Sequence, residues 1–186
     1  MRPYGVRVLK KLYSLQHSLI FGMASLDELR EERLKKLSTL TNRGISAYPA
    51  SSARDREIQK TIADFDELQK KNEELRLAGR VRSVRTQGGI IFFNLDDGTG
   101  IFQGLIKKDE IGEELFSLFG ETVDGGDFLE IAGTLFLTKR GEKTLAVREW
   151  KILAKALRPL PDKREGLQDI EERLRRRYLD VIAHPE

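Results

Sequence analysis

The sequence has no cysteine and only two histidines, His17 and His184, which lie near opposite ends of its 186 residues. The absence of cysteine excludes disulfides, thiolate nucleophiles and cysteine-ligated zinc. Two distant imidazoles also argue against a histidine-based metal or catalytic site. We therefore expect no catalytic residue and no metal, and the cysteine-free composition fits a cytoplasmic protein.

A long apolar run is also lacking at the N-terminus, where residues 1–22 are basic and contain no acid. Polar residues interrupt the apolar positions, so the segment is too short and too polar to span a membrane. A signal or transit peptide is one interpretation. We favour an extension ahead of a true start at Met23, because recognisable structure begins just after that residue.

The net charge of +3 hides an uneven distribution of charge along the chain. Residues 1–22 hold four basic residues, which leaves 29 basic against 30 acidic residues in the rest. The main body is therefore not globally basic. Any affinity for nucleic acid must come from local clusters of charge.

The segment 23–76 is predicted to be helical. Ser25 and Glu28 have the spacing of a capping box, and leucines then recur at helical intervals as far as Gly44, a plausible helix end. This pattern predicts an amphipathic helix over residues 26–42.

A second, shorter helix is predicted after a proline-containing loop. Asp55 stands where a capping residue would begin it, and Ile58, Ile62 and Phe65 share one helical face. The polar residues 66–76 are predicted to form a connector to the next unit.

From Leu77 onward the apolar residues alternate with a period of two, as in strands. Asp96–Gly100 is a turn, and its paired carboxylates fit turn chemistry better than a metal site. The predicted order is strands 77–86, 90–95 and 101–107, helix 109–120, and strands 128–137 and 143–153. This mainly β order is that of a five-stranded OB-fold barrel, although small α+β sandwiches share it. We assign residues 77–154 to this unit.

Two prolines stiffen the segment after the last strand, and a helix is predicted over 167–182. The runs Leu-Arg-Pro-Leu-Pro-Asp-Lys (157–163), Gly-Leu-Gln-Asp (166–169) and Arg-Tyr-Leu-Asp (177–180) resemble class II lysyl-tRNA synthetases. The first run favours lysine over the related aspartyl and asparaginyl enzymes. The resemblance covers about residues 25–186.

This resemblance implies an anticodon-binding fragment of an enzyme that joins lysine to tRNA(Lys). Residues 155–186 would be the linker and the start of a missing catalytic domain. Arg175–Arg177 would lie on a helix that packs against that domain or against a second subunit. The parent would use ATP and Mg²⁺ and form a homodimer, whereas the fragment would be inactive and monomeric or weakly dimeric. The alternatives are a free-standing OB-fold module that binds single-stranded nucleic acid and a trans-acting tRNA binder.

Phe92 is the candidate for stacking on a base. It stands in the phase opposite Ile91, Phe93 and Leu95, so it points outward if those three residues face the core. With the two faces reversed, Phe92 would itself be a core residue. The resemblance implies that Phe92 stacks on the central anticodon base, as aromatic side chains of OB barrels do.

The resemblance implies hydrogen-bonding roles for three more residues, each of which could instead be a solvated surface group. Gln103 would read a base edge, because an amide both donates and accepts. Glu142 would accept from a uracil-type N–H, and Arg85 would contact the RNA. Gly89 stands where the family often has lysine, which removes one charge from that turn. Possible contacts to the RNA backbone are Arg80, Arg82, Lys139 and Arg140.

Overall fold

The computed structural model describes residues 25–161 and 169–183. Within these ranges, three helices precede the first strand, two lie between the third and fourth strands, and two follow the fifth strand. The helices are α1 (Leu26–Asn42), α2 (Ile58–Ala63), α3 (Phe65–Lys71), α4 (Lys108–Ile111), α5 (Glu113–Thr122), α6 (Ile170–Arg175) and α7 (Arg177–Ala183). The strands are β1 (Leu75–Gln87), β2 (Ile90–Asp96), β3 (Ile101–Lys107), β4 (Phe128–Leu137) and β5 (Lys143–Ala154).

Helix α1 has the predicted limits and the predicted cap. The Glu28 amide donates to Ser25 Oγ at 3.2 Å, and the Ser25 amide donates to Glu28 Oε2 at 2.6 Å. Beyond the helix end, Gly44 takes a φ of +73°, which glycine adopts without steric cost. Leu40 is the residue of α1 that is fully buried.

The second helix lies where it was predicted, but it ends at Ala63, so that Phe65 belongs to α3. The predicted cap was also wrong. Asp55 instead accepts the backbone amide of Arg76 at 2.9 Å. The first amide of α2, that of Ile58, donates to the carboxylate of Asp97 at 2.9 Å. The capping group therefore comes from the β2–β3 turn, a tertiary contact that local spacing does not reveal.

Three further helical segments differ from the predictions, and β1 begins two residues early, at Leu75. The expected connector 66–76 holds most of α3, which begins at Phe65 and is anchored to the core by Phe65 and Leu68. The expected helix 109–120 is split into α4 and α5 by Gly112, which has a φ of +84°. The expected helix 167–182 is split at Arg176. Residues 1–24, with their possible targeting role, and 162–168 of the linker lie outside the described residues.

The five strands close into a barrel in the order β1-β2-β3-β5-β4. Neighbouring strands are antiparallel except β3 and β5, which run parallel. With α4 and α5 between the third and fourth strands, this is the OB-fold. The predicted fold class is confirmed, and the α+β sandwich is excluded.

Alternating apolar residues fill the barrel. In β2, Ile91, Phe93 and Leu95 are buried, as their shared phase predicts. The Phe93 ring packs against Phe119 of α5 with centroids 5.1 Å apart, and Phe119 meets Trp150 edge-on at 5.2 Å. Helix α5 thus joins the barrel core through its aromatic face.

Because Gly104 of β3 has no side chain, the Phe93 ring can occupy the space above it. A Cβ at this position would lie 2.7 Å from Phe93 Cε2, well inside van der Waals contact. We expect Gly104→Ala to lower the free energy of unfolding by about 1–3 kcal/mol, the usual cost of overpacking. Urea unfolding followed by the fluorescence of Trp150, the only tryptophan, measures this.

Gly120→Ala is the matched control for Gly104→Ala. Gly120 lies in helix α5, and its added methyl group would lie 3.9 Å from Ile91 Cδ1 of β2. Because alanine favours a helix interior over glycine by about 1 kcal/mol, we expect unchanged or higher stability. Equal losses in the two variants would contradict the packing described for Phe93.

A buried ammonium group lies directly after β5. The Lys155 side chain is 0% exposed, and its Nζ donates to Asp127 Oδ2 (2.7 Å), Asp124 Oδ2 (2.6 Å) and the Thr122 carbonyl (2.7 Å). Asp124 also pairs with Lys36 of α1 at 2.6 Å. This Lys155 cluster (Lys155, Asp124, Asp127 and Lys36) joins α1 and the segment after β5 to the barrel.

The ion pairs of the Lys155 cluster favour the charged form of the Asp124 carboxylate despite its burial. Burial raises the pKa of Asp124, but the hydrogen bonds from Lys155 and Lys36 outweigh it and lower the pKa below the ordinary carboxyl value. Arg33 of α1 donates to the carbonyls of Ala156 and Gly125 at 2.8 and 3.0 Å. Helix α1 is therefore fastened to the barrel at two neighbouring points.

Removal of the Lys155 ammonium would leave the fully buried Asp127 carboxylate without a charged partner and would leave Asp124 with Lys36 alone. We expect Lys155→Met to lower the free energy of unfolding by about 3–5 kcal/mol, the cost of breaking a buried ion pair from one side. Lys70→Met, at an exposed position of α3, should change it by less than about 0.5 kcal/mol. Similar urea midpoints for both variants would contradict a structural role for the Lys155 cluster.

Candidate nucleic-acid interface

Strand register brings polar and aromatic side chains together on one outer face of the barrel. Residues paired across strands point to the same side of a sheet. One row runs through Arg85, Phe92, Leu105 and Ala146, and the next through Ser83, Asn94, Gln103 and Thr144. We call these eight residues the outer face.

Phe92 lies on the outer face, as its phase predicts. It is half-buried, whereas its neighbours Ile91 and Phe93 are buried in the core. Arg85 stands opposite it in β1, and the buried Leu105 stands opposite it in β3. An aromatic ring beside a guanidinium group on an apolar floor suits the stacking of a base. That role for Phe92 remains a prediction.

Arg85 and Gln103 are brought close to Phe92. Arg85 is exposed and makes no side-chain hydrogen bond or ion pair with another described residue. Gln103 is half-buried diagonally from Phe92, and its Oε1 accepts a hydrogen bond from Thr144 Oγ1 at 2.8 Å. Both groups therefore lie on the outer face beside the ring, and their contacts with a base remain predictions.

The β4–β5 hairpin holds Glu142 at the edge of the outer face. The Thr138 amide donates to the Glu142 carbonyl at 3.0 Å, and Gly141 allows the turn with a φ of +82°. The side chains of Lys139, Arg140 and Glu142 are exposed. These three charges are available to a ligand on the outer face, and their contacts with RNA remain predictions.

Arg80 and Arg82 have partners within the protein, in contrast to Arg85. The Arg80 guanidinium lies 4.4 Å from the centroid of the Phe128 ring, and burial, followed by the nearby charge of Arg82, lowers its pKa. Arg82 pairs with Asp96 at 3.3 Å and donates to the carbonyl of Ile182 in α7 at 3.3 Å. Contacts of these arginines with an RNA backbone would compete with those interactions.

Three polar residues of the outer face, Ser83, Asn94 and Thr144, were not predicted as site residues. Asn94 Nδ2 donates to Ser83 Oγ at 3.2 Å and stands opposite Gln103. The alternation of β2 could have identified it, because Asn94 shares the phase of Phe92. Thr144 is fully buried, and nothing in its local sequence indicates its contact with Gln103, 41 residues away.

The carboxylates of the β2–β3 turn serve the fold, as predicted. Asp97 accepts from the amides of Ile58, Thr99 and Gly100. Burial raises the pKa of Asp97, but hydrogen bonds from Thr99 and these amides prevail and lower it. Among the described residues, no cluster of histidine or acidic side chains is arranged to hold a metal ion. No helix in that part of the chain has the length and apolarity to cross a membrane.

The fold and the polar outer face define the class of this barrel. Residues 75–153 match the tRNA anti-codon family, described as an OB-fold nucleic acid binding domain. The barrel is therefore an OB-fold domain of the anticodon-binding type.

Similarity beyond the barrel identifies the relatives of the chain, which is homologous to lysyl-tRNA synthetases. It is 40% identical to the lysine–tRNA ligase of Roseiflexus castenholzii over 162 residues, or 87% of this chain and 33% of that protein. The lysine–tRNA ligase of Thermotoga maritima is 40% identical over 165 residues, with the same shares. Lysine–tRNA ligase 2 of Methanosarcina mazei is 38% identical over 167 residues, or 89% and 32%. The chain thus spans about a third of the length of these relatives.

Truncation of the Phe92 ring tests its predicted stacking. We expect Phe92→Ala to weaken binding of an anticodon stem-loop by about 1–3 kcal/mol, the usual contribution of one base stack. Phe92→Tyr keeps the ring and should bind nearly as well. Fluorescence anisotropy of a labelled RNA at constant salt measures the affinities.

Leu115→Ala controls for the loss of an exposed apolar side chain elsewhere, because Leu115 lies on helix α5 and is 44% exposed. Its affinity should equal that of the unchanged protein. An unchanged affinity in a folded Phe92→Ala variant would remove Phe92 from the interface.

Proposed function

We propose that the outer face of this barrel reads the anticodon loop of tRNA(Lys). The observation that supports this most strongly is the grouping of an aromatic ring, an exposed guanidinium and an oriented amide at Phe92, Arg85 and Gln103. OB barrels bind single strands by stacking bases on such rings and gripping phosphates with nearby cations. Unpaired loop bases also expose the edges that hydrogen-bonding groups can read.

The charges around the ring suit a loop rich in uridine. Uracil presents one N–H donor between two carbonyl acceptors on its pairing edge. The Glu142 carboxylate offers only acceptors and therefore favours a base with an N–H. Gln103 and Arg85 offer donors to the carbonyl oxygens. Lys139 and Arg140, exposed beside Glu142, would contact the phosphates, and with Arg85 they would make the affinity depend on salt.

We further propose that the chain acts as the anticodon-binding part of a lysine–tRNA ligase. Its similarity to lysine–tRNA ligases over 87% of its length supports this assignment. Such a parent would attach lysine to tRNA(Lys) with ATP and Mg²⁺ in the cytoplasm and act as a homodimer. We assign no catalytic residue to the barrel, and catalysis would require a further domain. The OB-fold unit proposed over 77–154 would then select the tRNA.

A free-standing binding module is the second candidate. The barrel closes on itself, and residues of α1, α5 and the strands form one hydrophobic core. It therefore needs no further domain to complete its core. In that case the chain would bind single-stranded nucleic acid, or a tRNA in trans, without serving an enzyme.

The two candidates differ in their preference for bases. The test compares binding of the full chain to a stem-loop with the lysine anticodon and to one whose central uridine is replaced by cytidine. Both affinities are measured at one fixed salt concentration, because salt alone changes them. We expect a clear preference for the uridine loop. Equal binding of the two loops would contradict anticodon reading and favour the general single-strand module.

A further inference from the structure

Thr144 connects two of the residues proposed to read the anticodon. Its side chain is fully buried in β5, next to Gln103 in the parallel β3–β5 register. The Thr144 hydroxyl lies 2.8 Å from Gln103 Oε1 and 3.2 Å from the Glu142 carbonyl. A hydroxyl has one proton to donate, so it can satisfy one of these acceptors at a time.

The geometry favours Gln103 as the acceptor. The distance to Gln103 Oε1 is the shorter one, and the Glu142 carbonyl already accepts the Thr138 amide at 3.0 Å. Because Oε1 accepts from Thr144, the Gln103 amino group points away from Thr144. It makes no hydrogen bond with any residue that the structure describes. The carboxamide is thus oriented with a free donor.

We propose that Thr144 is a positioning residue that fixes Gln103 as a hydrogen-bond donor toward the bound base. This inference rests on the proposed anticodon reading. A freely rotating carboxamide could turn over and offer its oxygen instead, because the two ends have nearly the same shape. Thr144 removes that freedom before the RNA arrives.

A fixed donor distinguishes uracil from cytosine. Besides the N–H at position 3 that uracil alone carries, the two bases differ at position 4, where uracil carries a carbonyl acceptor and cytosine an amino donor. The Gln103 amino group complements the carbonyl and faces another donor in cytosine. A carboxamide free to turn over could accept from the cytosine amino group and would lose this selectivity. Thr144 therefore contributes to specificity without touching the base.

Removal of the Thr144 hydroxyl tests this inference. Thr144→Val keeps the shape, and Thr144→Ser keeps the hydroxyl. We expect Thr144→Val to lower the preference for the uridine loop by about three- to tenfold, the range of one neutral hydrogen bond, chiefly through better binding of the cytidine loop. Thr144→Ser should retain the preference. An unchanged preference in a folded Thr144→Val variant would overturn the positioning role.

Gln103→Glu tests the donor role directly, even if the Thr144 variants fold poorly. Its carboxylate keeps an oxygen for Thr144 and presents a second acceptor to the base. We expect its preference to shift from the uridine loop toward the cytidine loop. A preference for uridine that persists in Gln103→Glu would overturn the donor assignment.

The unchanged protein separates this inference from the proposed function. If the unchanged protein does not prefer uridine, anticodon reading fails, and the inference that rests on it fails as well. If it prefers uridine and Thr144→Val does so equally, only the role of Thr144 is overturned. Urea unfolding followed by Trp150 fluorescence shows whether each variant is folded.

Discussion

The whole structure depends on the way in which β1 closes the barrel. Its 13 residues pair first with β4, from Leu75 to Arg80, and then with β2, from Arg80 to Gln87. A bulge between Val81 and Ser83 bends the strand where it passes from one partner to the other. A shorter or straighter β1 would leave an open sheet with two unpaired edges.

The order of the strands creates the candidate interface. It places β1, β2, β3 and β5 side by side, so that residues distant in sequence form two continuous rows. The second half of β1 has Arg85 beside Phe92, and the β3–β5 pairing has Thr144 beside Gln103. The backbone hydrogen bonds between the strands set the positions of both rows. The interface is therefore largely formed before any ligand binds, which lowers the entropic cost of binding.

Alternation and turn chemistry predicted the five strands and their order along the chain, but they left the barrel and a small α+β sandwich both open. Ile91, Phe93 and Leu95 share a phase, and all three are buried, which settles that Phe92 faces outward. The limits of β3 and β4 agree with the predictions because glycine-containing turns and a helix bound them. Local patterns of this kind carry their information within a few residues.

Features that depend on distant partners could not be predicted in the same way. The cap of α2 is supplied by Asp97, 39 residues from Ile58. Lys155 is fully buried although lysine is among the most exposed residue types, and its partners lie about 30 residues away in sequence. Only the folded chain brings such groups together, and the contact of Thr144 with Gln103 could not be recognised from local sequence for the same reason.

The most direct test of the account is to map the RNA contacts on the protein. Two-dimensional NMR of the isotopically labelled chain would follow each backbone amide as an anticodon stem-loop is added at constant salt. The account predicts that the largest shifts occur on the outer face and in the β4–β5 hairpin, around Arg85, Phe92, Gln103 and Glu142. Shifts confined to α1 or to α6 and α7, with the outer face unchanged, would contradict it.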